Sequence, residues 1–145
     1  MFNALIVDDH SGFRGSVSSA LHKQFPFIEV DEVSRGVDAL RHIQERGADL
    51  VLLDIRLPGA SGILLTKTIK SGWDGITVVV LSAFDLPQYR QAAFRSGADC
   101  FLYKGSPSCL NDVIARVEGA ILARGEVRLS TRTSVFPSGP PRAAE

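Results

Sequence analysis

Leu50-Val51-Leu52-Leu53-Asp54-Ile55-Arg56-Leu57-Pro58-Gly59 decides how this chain folds. Four apolar residues run without a polar break, then stop on an acid. A run this short and this continuous reads as a strand buried on both faces, the pattern of a parallel sheet. Pro58-Gly59 reads as the tip of a turn.

Four further runs share the pattern. Ala4-Leu5-Ile6-Val7 precedes it; Phe27-Ile28-Glu29-Val30 extends towards Val33; Ile76-Thr77-Val78-Val79-Val80-Leu81 and Cys100-Phe101-Leu102-Tyr103 follow. The stretches between them have helical spacing. Phe13, Val17, Ala20 and Leu21 share a face, as do Val37, Leu40 and Ile43. Leu65 and Ile69 lie one turn apart, and Tyr89, Ala92 and Ala93 mark a fourth helix weakly. Leu110, Val113, Ile114, Val117 and Ile121 give the clearest stripe. Gly47, Gly72, Gly97 and Gly125 sit where helices should end, and Ser34, Ser61 and Ser106 where they should begin, with Pro107 at a first helical position. Strand–helix alternation predicts an α/β domain: a five-stranded parallel sheet with right-handed crossovers and helices on both faces.

The chain has 145 residues, the size of one domain, and 45% hydrophobic against 22% charged residues, which excludes disorder along its whole length. Lys+Arg and Asp+Glu are 16 each, so nothing in the charge points to nucleic acid. No apolar run approaches a membrane span, and Met1 to Asp9 lacks the basic region of a signal peptide, so cytoplasm is the expected location. Cys100 and Cys109 fit no metal or redox spacing and read as two reduced thiols. Residues 1–124 are expected to form the domain. Residues 125–145, with three prolines, five hydroxyl residues and little apolar content, read as a largely disordered tail or linker.

Ligands of an open parallel sheet bind outside the carboxyl ends of its strands. There stand Asp8 and Asp9 after the first run, Asp54 after the third, Ser82 and Ala83 after the fourth, and Lys104 after the fifth. Each has a plain alternative as a cap, turn or surface residue, but together they converge on one sheet edge. Two carboxylates about 4 Å apart repel by roughly 4 kcal/mol at an effective dielectric of 20, so three need compensation. Lys104 supplies one positive charge, and a hard divalent cation suits the rest. A carboxylate beside such an ion and a lysine can attack a phosphoryl group.

In this set, the sequence resembles the receiver domain of bacterial two-component response regulators, over about residues 2 to 124. The resemblance implies the flavodoxin-like fold with strand order 2-1-3-4-5. It implies Asp54 as phosphoacceptor. Mg²⁺ (or Mn²⁺) would be held by Asp8, Asp9, Asp54 and the backbone carbonyl of Arg56. Ser82, the backbone of Ala83 and Lys104 would contact the phosphoryl group. Ser82 and Phe101 would be the switch pair, the ring turning inward as the face made by the fourth helix, fifth strand and fifth helix is remodelled. The implied partners are a sensor histidine kinase or phosphotransfer protein, and a downstream protein or a second copy. Neither nucleic acid nor membrane is an expected partner, and no enzymatic turnover is expected beyond self-catalysed phosphorylation and autodephosphorylation.

Asp8-Asp9-His10 with Phe13-Arg14, and Gly125 to Ser130, resemble the NarL-like subfamily, which carries a helix-turn-helix output domain; none is visible here. The chain reads either as a receiver cut from a longer protein or as a natural single-domain regulator, the lack of a tag favouring the latter. Gly105 stands where the family usually has proline after the lysine, which leaves the setting of Lys104 open. An aspartate-nucleophile phosphatase would want a second aspartate two residues after the nucleophile, where Arg56 stands. A receiver-like interaction module that never takes up phosphate is the other alternative. His10, His22 and His42 are too scattered for a metal site, and Gly12 and Gly15 form no phosphate loop. Trp73 reads as a loop anchor, Tyr103 as a core or contact residue, and Phe84 as a shield for the pocket or simple packing.

Overall fold

The computed structural model describes the backbone of residues 1–133 and the side chains of residues 1–125. Its elements are β1 (Asn3–Val7), α1 (Ser11–Gln24), β2 (Glu29–Val33), α2 (Gly36–Arg46), β3 (Leu50–Asp54), β4 (Arg56–Leu57), β5 (Ala60–Ser61), α3 (Gly62–Gly72), β6 (Thr77–Ser82), α4 (Pro87–Arg95), β7 (Cys100–Tyr103) and α5 (Cys109–Thr133). The main sheet is parallel in the order β2-β1-β3-β6-β7, which is the second, first, third, fourth and fifth of the expected strands. The turn at Pro58-Gly59 is the tip of the small antiparallel hairpin β4-β5, and Gly59 takes a positive φ of 68° there.

The pleat sends alternate residues to opposite faces. Leu5, Val7, Val51, Leu53, Val78, Val80 and Phe101 meet α2, α3 and α4 through Ala39, Ile43, Leu65, Ile69 and Ala93. Ala4, Ile6, Leu50, Leu52, Val79, Leu81 and Cys100 meet α1 and α5 through Val17, Leu21, Val113 and Val117. Burying each Leu or Ile here contributes roughly 1.5–3 kcal/mol, so these two layers hold the fold. Burial also pushes the thiols of Cys100 and Cys109 upward, which keeps both as unreactive packing groups.

Several local expectations are corrected. β2 begins at Glu29 rather than Phe27, whose ring is exposed against Phe25 at the sheet's edge. Val37 points to solvent, and α2 packs through Gly36, Ala39 and Ile43 instead. Ser61 caps α3 by accepting from the N–H groups of Ile63 and Leu64, but α2 starts on Arg35 without a side-chain cap. Ser106 and Pro107 lie in a turn, and α5 starts later, at Cys109, with Ser108 hydrogen-bonded to Asp112. Gly125 does not end α5, which continues to Thr133. Glu126, Arg128 and Leu129 are good helix formers, and no proline intervenes before Pro137. The rest of the expected tail, 134–145, lies outside the described residues.

Candidate functional site

Backbone ladders carry the site residues just past the strand ends. Asp8 N–H donates to Val33 O (3.1 Å), Ile55 N–H to Leu81 O (2.9 Å) and Lys104 N–H to Ser82 O (2.7 Å). Asp8, Asp54 and Lys104 continue the parity of Ile6, Leu52 and Leu102, all on the α1/α5 side. Ser82 continues the parity of Val78 and Val80, on the α4 side, and shares that face with Phe101.

The Lys104 ammonium lies 2.6 Å from Asp8 Oδ2 and 3.0 Å from Asp54 Oδ2. Asp8 Oδ1 accepts from the His10 N–H at 2.9 Å, and Asp54 Oδ1 from the Arg56 N–H at 3.2 Å. Asp9 is exposed, yet Asp8, Asp9 and Asp54 each bring a carboxylate oxygen within 4.8 Å of the others. Among the described residues this is the only His, Cys, Asp and Glu group close enough to hold a metal. Burial raises the Asp54 pKa, and nearby Asp8 adds to the rise, against the Arg56 N–H and Lys104 that lower it. Burial alone would lower Lys104, but its bonds and charge attraction to Asp8 and Asp54 win and raise it.

Ser82 is fully buried, and its hydroxyl is engaged by the Phe84 backbone, donating to Phe84 O (2.7 Å) and accepting from Phe84 N–H (2.9 Å). Phe101 is already inward, with the Arg90 guanidinium 4.8 Å above its ring. Phe84 is half exposed on the rim, under the Arg56 guanidinium at 5.1 Å and edge-on to Tyr89. Ala83 is exposed beside it. Trp73 packs partly buried against the α2/α3/α4 layer.

His10 caps α1, its Nδ1 accepting from the Phe13 N–H at 3.0 Å; His42 pairs with Asp31 at 3.1 Å. Two supports have no signal in the sequence beyond their place in the subfamily resemblance or beside Ser61. Arg14 donates to the Asp8 carbonyl at 2.7 Å and pairs with Glu32 at 3.1 Å, bracing the acidic loop. Gly62 lets α3 start directly against the end of β3 and donates its N–H to Ile55 O at 2.9 Å.

The model of the response regulator receiver domain matches residues 4–117. The chain belongs to that family. Receiver domains are signalling modules of two-component systems and interact with histidine kinases. This receiver is 30% identical over 131 residues to the transcriptional regulatory protein PrrA of Mycobacterium leprae, covering 90% of this chain and 54% of PrrA. It is 31% identical over 104 residues to the oxygen regulatory protein NreC of Staphylococcus epidermidis, covering 71% of this chain and 48% of NreC. The chain thus spans about half the length of the curated relatives it matches. The signal receiver domain of the response regulator NarL from Mycobacterium tuberculosis superposes with a TM-score of 0.72 at 31% identity, over 82% of this receiver and 95% of that domain. None of the described helices is long and apolar enough to cross a membrane.

Proposed function

We propose that this receiver takes a phosphoryl group from a histidine kinase or phosphotransfer protein onto Asp54. The observation that carries the reading is the clustering of three carboxylates, Asp8, Asp9 and Asp54, around a single part-buried lysine that pairs with Asp8 and Asp54 and leaves the cluster with excess negative charge. Three carboxylates with oxygens within 4.8 Å of one another, one of them fully buried and only one lysine to balance them, suit a hard divalent cation. Asp8, Asp9, Asp54 and the Arg56 carbonyl would hold Mg²⁺ or Mn²⁺, which supplies positive charge for phosphoryl oxygens.

A carboxylate oxygen of Asp54 forms the new O–P bond as the donor's bond to phosphorus breaks, and the leaving group keeps the electron pair. Lys104 neutralises charge on the transferring group, and the Ala83 backbone N–H and Ser82 hydroxyl complete its contacts. To reach it, Ser82 gives up both bonds to Phe84. That exchange frees the β6–α4 loop and repacks the α4-β7-α5 face around Phe101, the surface for a partner or a second copy. Residues 1–124 form the unit that does this, in the cytoplasm, with 125–145 as linker or tail and no direct contact to nucleic acid.

Intact mass spectra with a small phosphodonor test it: one added phosphoryl group with Mg²⁺ and none with chelator support the reading. No uptake from either a small donor or a kinase, together with no beryllofluoride binding, favours the phosphate-independent module. Replacing Asp9 by alanine removes one ligand from an exposed position and is expected to weaken Mg²⁺ on the order of tenfold or more without unfolding the protein. Unchanged affinity in a titration would remove Asp9 from the metal shell. Replacing Lys104 by alanine leaves Asp8 and Asp54 facing each other, a loss of about 2 kcal/mol without divalent cation. Mg²⁺ should recover more stability in this variant than in the parent. Equal denaturation midpoints with and without Mg²⁺ in both proteins would contradict this.

A further inference from the structure

Phosphoryl transfer on Asp54 requires the Lys104 ammonium to stay beside that carboxylate, and although the Lys104 N–H is anchored to Ser82 O at 2.7 Å, that bond does not fix the side chain beyond it. Gly105 follows Lys104, and the stem has four flexible carbons. We propose that Phe13 is a positioning residue for phosphoryl transfer, its ring face holding the Lys104 ammonium against Asp8 and Asp54. The proposal rests on the function argued above.

The ammonium stands 4.5 Å from the Phe13 centroid, inside the range where the ring quadrupole attracts a cation. Asp8 at 2.6 Å, Asp54 at 3.0 Å and the ring thus form three walls around one charge. Among the described residues no other ring lies over Lys104; Phe84 stacks on Arg56 and Phe101 on Arg90. Phe13 is itself held from two sides. Its N–H donates to the capping His10 ring, and its side chain packs against the α1/α5 layer. The next residue, Arg14, ties the same helical turn to the Asp8 carbonyl.

An aromatic face suits this wall better than an oxygen would. It attracts the ammonium but offers no lone pair in the plane where phosphoryl oxygens arrive. The lysine's three donors stay available for Asp54, Asp8 and the incoming group. The ring also keeps water off one side of the charge, which strengthens its attraction to the developing phosphoryl charge.

Fluorination weakens the ring quadrupole while keeping its shape, so it separates attraction from packing. The experiment installs mono-, di- and trifluorophenylalanine at position 13 in the full chain, beside Phe13→Tyr and Phe13→Leu. Uptake from a small phosphodonor with Mg²⁺ is timed by intact mass, and thermal midpoints are recorded. The expected result is a stepwise fall in rate with each fluorine, reaching about five- to tenfold for the trifluoro ring and for leucine. Tyrosine should stay near the parent, and midpoints should not move across the fluorinated series. A flat rate across the series, in a protein whose parent takes up phosphate, overturns the proposal and leaves the function standing. A parent that takes up none from donor or kinase overturns both.

Discussion

Asp54→Asn is expected to abolish phosphoryl uptake completely, in a protein that remains folded and no less stable near neutral pH. The loss follows because an amide cannot attack phosphorus as a carboxylate does; of the two neighbouring acids, Asp8 is fully buried against Lys104 and Asp9 is the exposed residue expected to serve the metal. The stability half follows from the sign of the pKa shift. Burial raises the Asp54 pKa above its ordinary value of 3.8, so folding favours its neutral form. Its contribution to stability is present below the unfolded value and is lost as pH rises through the folded one. At neutral pH the charged carboxylate is therefore a cost, and asparagine removes it while keeping an oxygen for the Arg56 N–H or Lys104. Intact mass and urea midpoints at neutral pH and near pH 4 read both halves. A phosphoryl group still added to the variant would move the phosphoacceptor elsewhere. A clear drop in midpoint at neutral pH would mean that the Lys104 pair outweighs burial.

Gly62→Ala is expected to be the most damaging single methyl group in the domain, costing about 3 kcal/mol, or a fall of about 10 °C in Tm. A Cβ there would meet Ile55 Cα at 2.6 Å and Ile55 C at 2.9 Å, and would press on the Asp54 carbonyl oxygen. All three are backbone atoms of the segment that presents the Asp54 side chain, so relief requires moving the site itself. Gly15→Ala in α1 and Gly119→Ala in α5 are the matched controls, because a Cβ at either meets nothing within 4 Å. Each should gain roughly 0.5–1 kcal/mol from helix propensity. Denaturant midpoints that move the same way in all three would refute the close approach at Gly62.

The contrast between these glycines shows what the sequence makes visible. β1, β3 and β6 are legible because continuous β-branched and leucine runs have few other uses in a chain this size, whereas the start of β2, whose five residues include three acids, is not. The convergence of Asp8, Asp54 and Lys104 is legible too, since a strand's end and its pleat parity are properties of the strand itself. Gly62 is not, because only the approach of α3 to β3 distinguishes it from Gly15. Phe13 reads as one apolar residue of a helical stripe until the fold brings the Lys104 ammonium over its ring. The orientation of Ser82 depends on where the Phe84 backbone turns. The continuation of α5 past Gly125 depends on the helix formers that follow outweighing one glycine, whose cost of about 1 kcal/mol is small beside the rest of the helix.

The division of the site between two faces of the sheet has a logical consequence. Asp8, Asp54 and Lys104 lie on the α1/α5 side, and Ser82 with Phe101 on the α4 side. A cation held by Asp8 and Asp54 would be expected on the α1/α5 side, away from the hydroxyl of Ser82 and the ring of Phe101. Only a group extending outward from Asp54, past the strand ends, can be gripped from both sides at once. On the proposed function such a domain would compute a conjunction: ion loading alone would leave the output silent, and the message would pass only when a covalent mark is added to it.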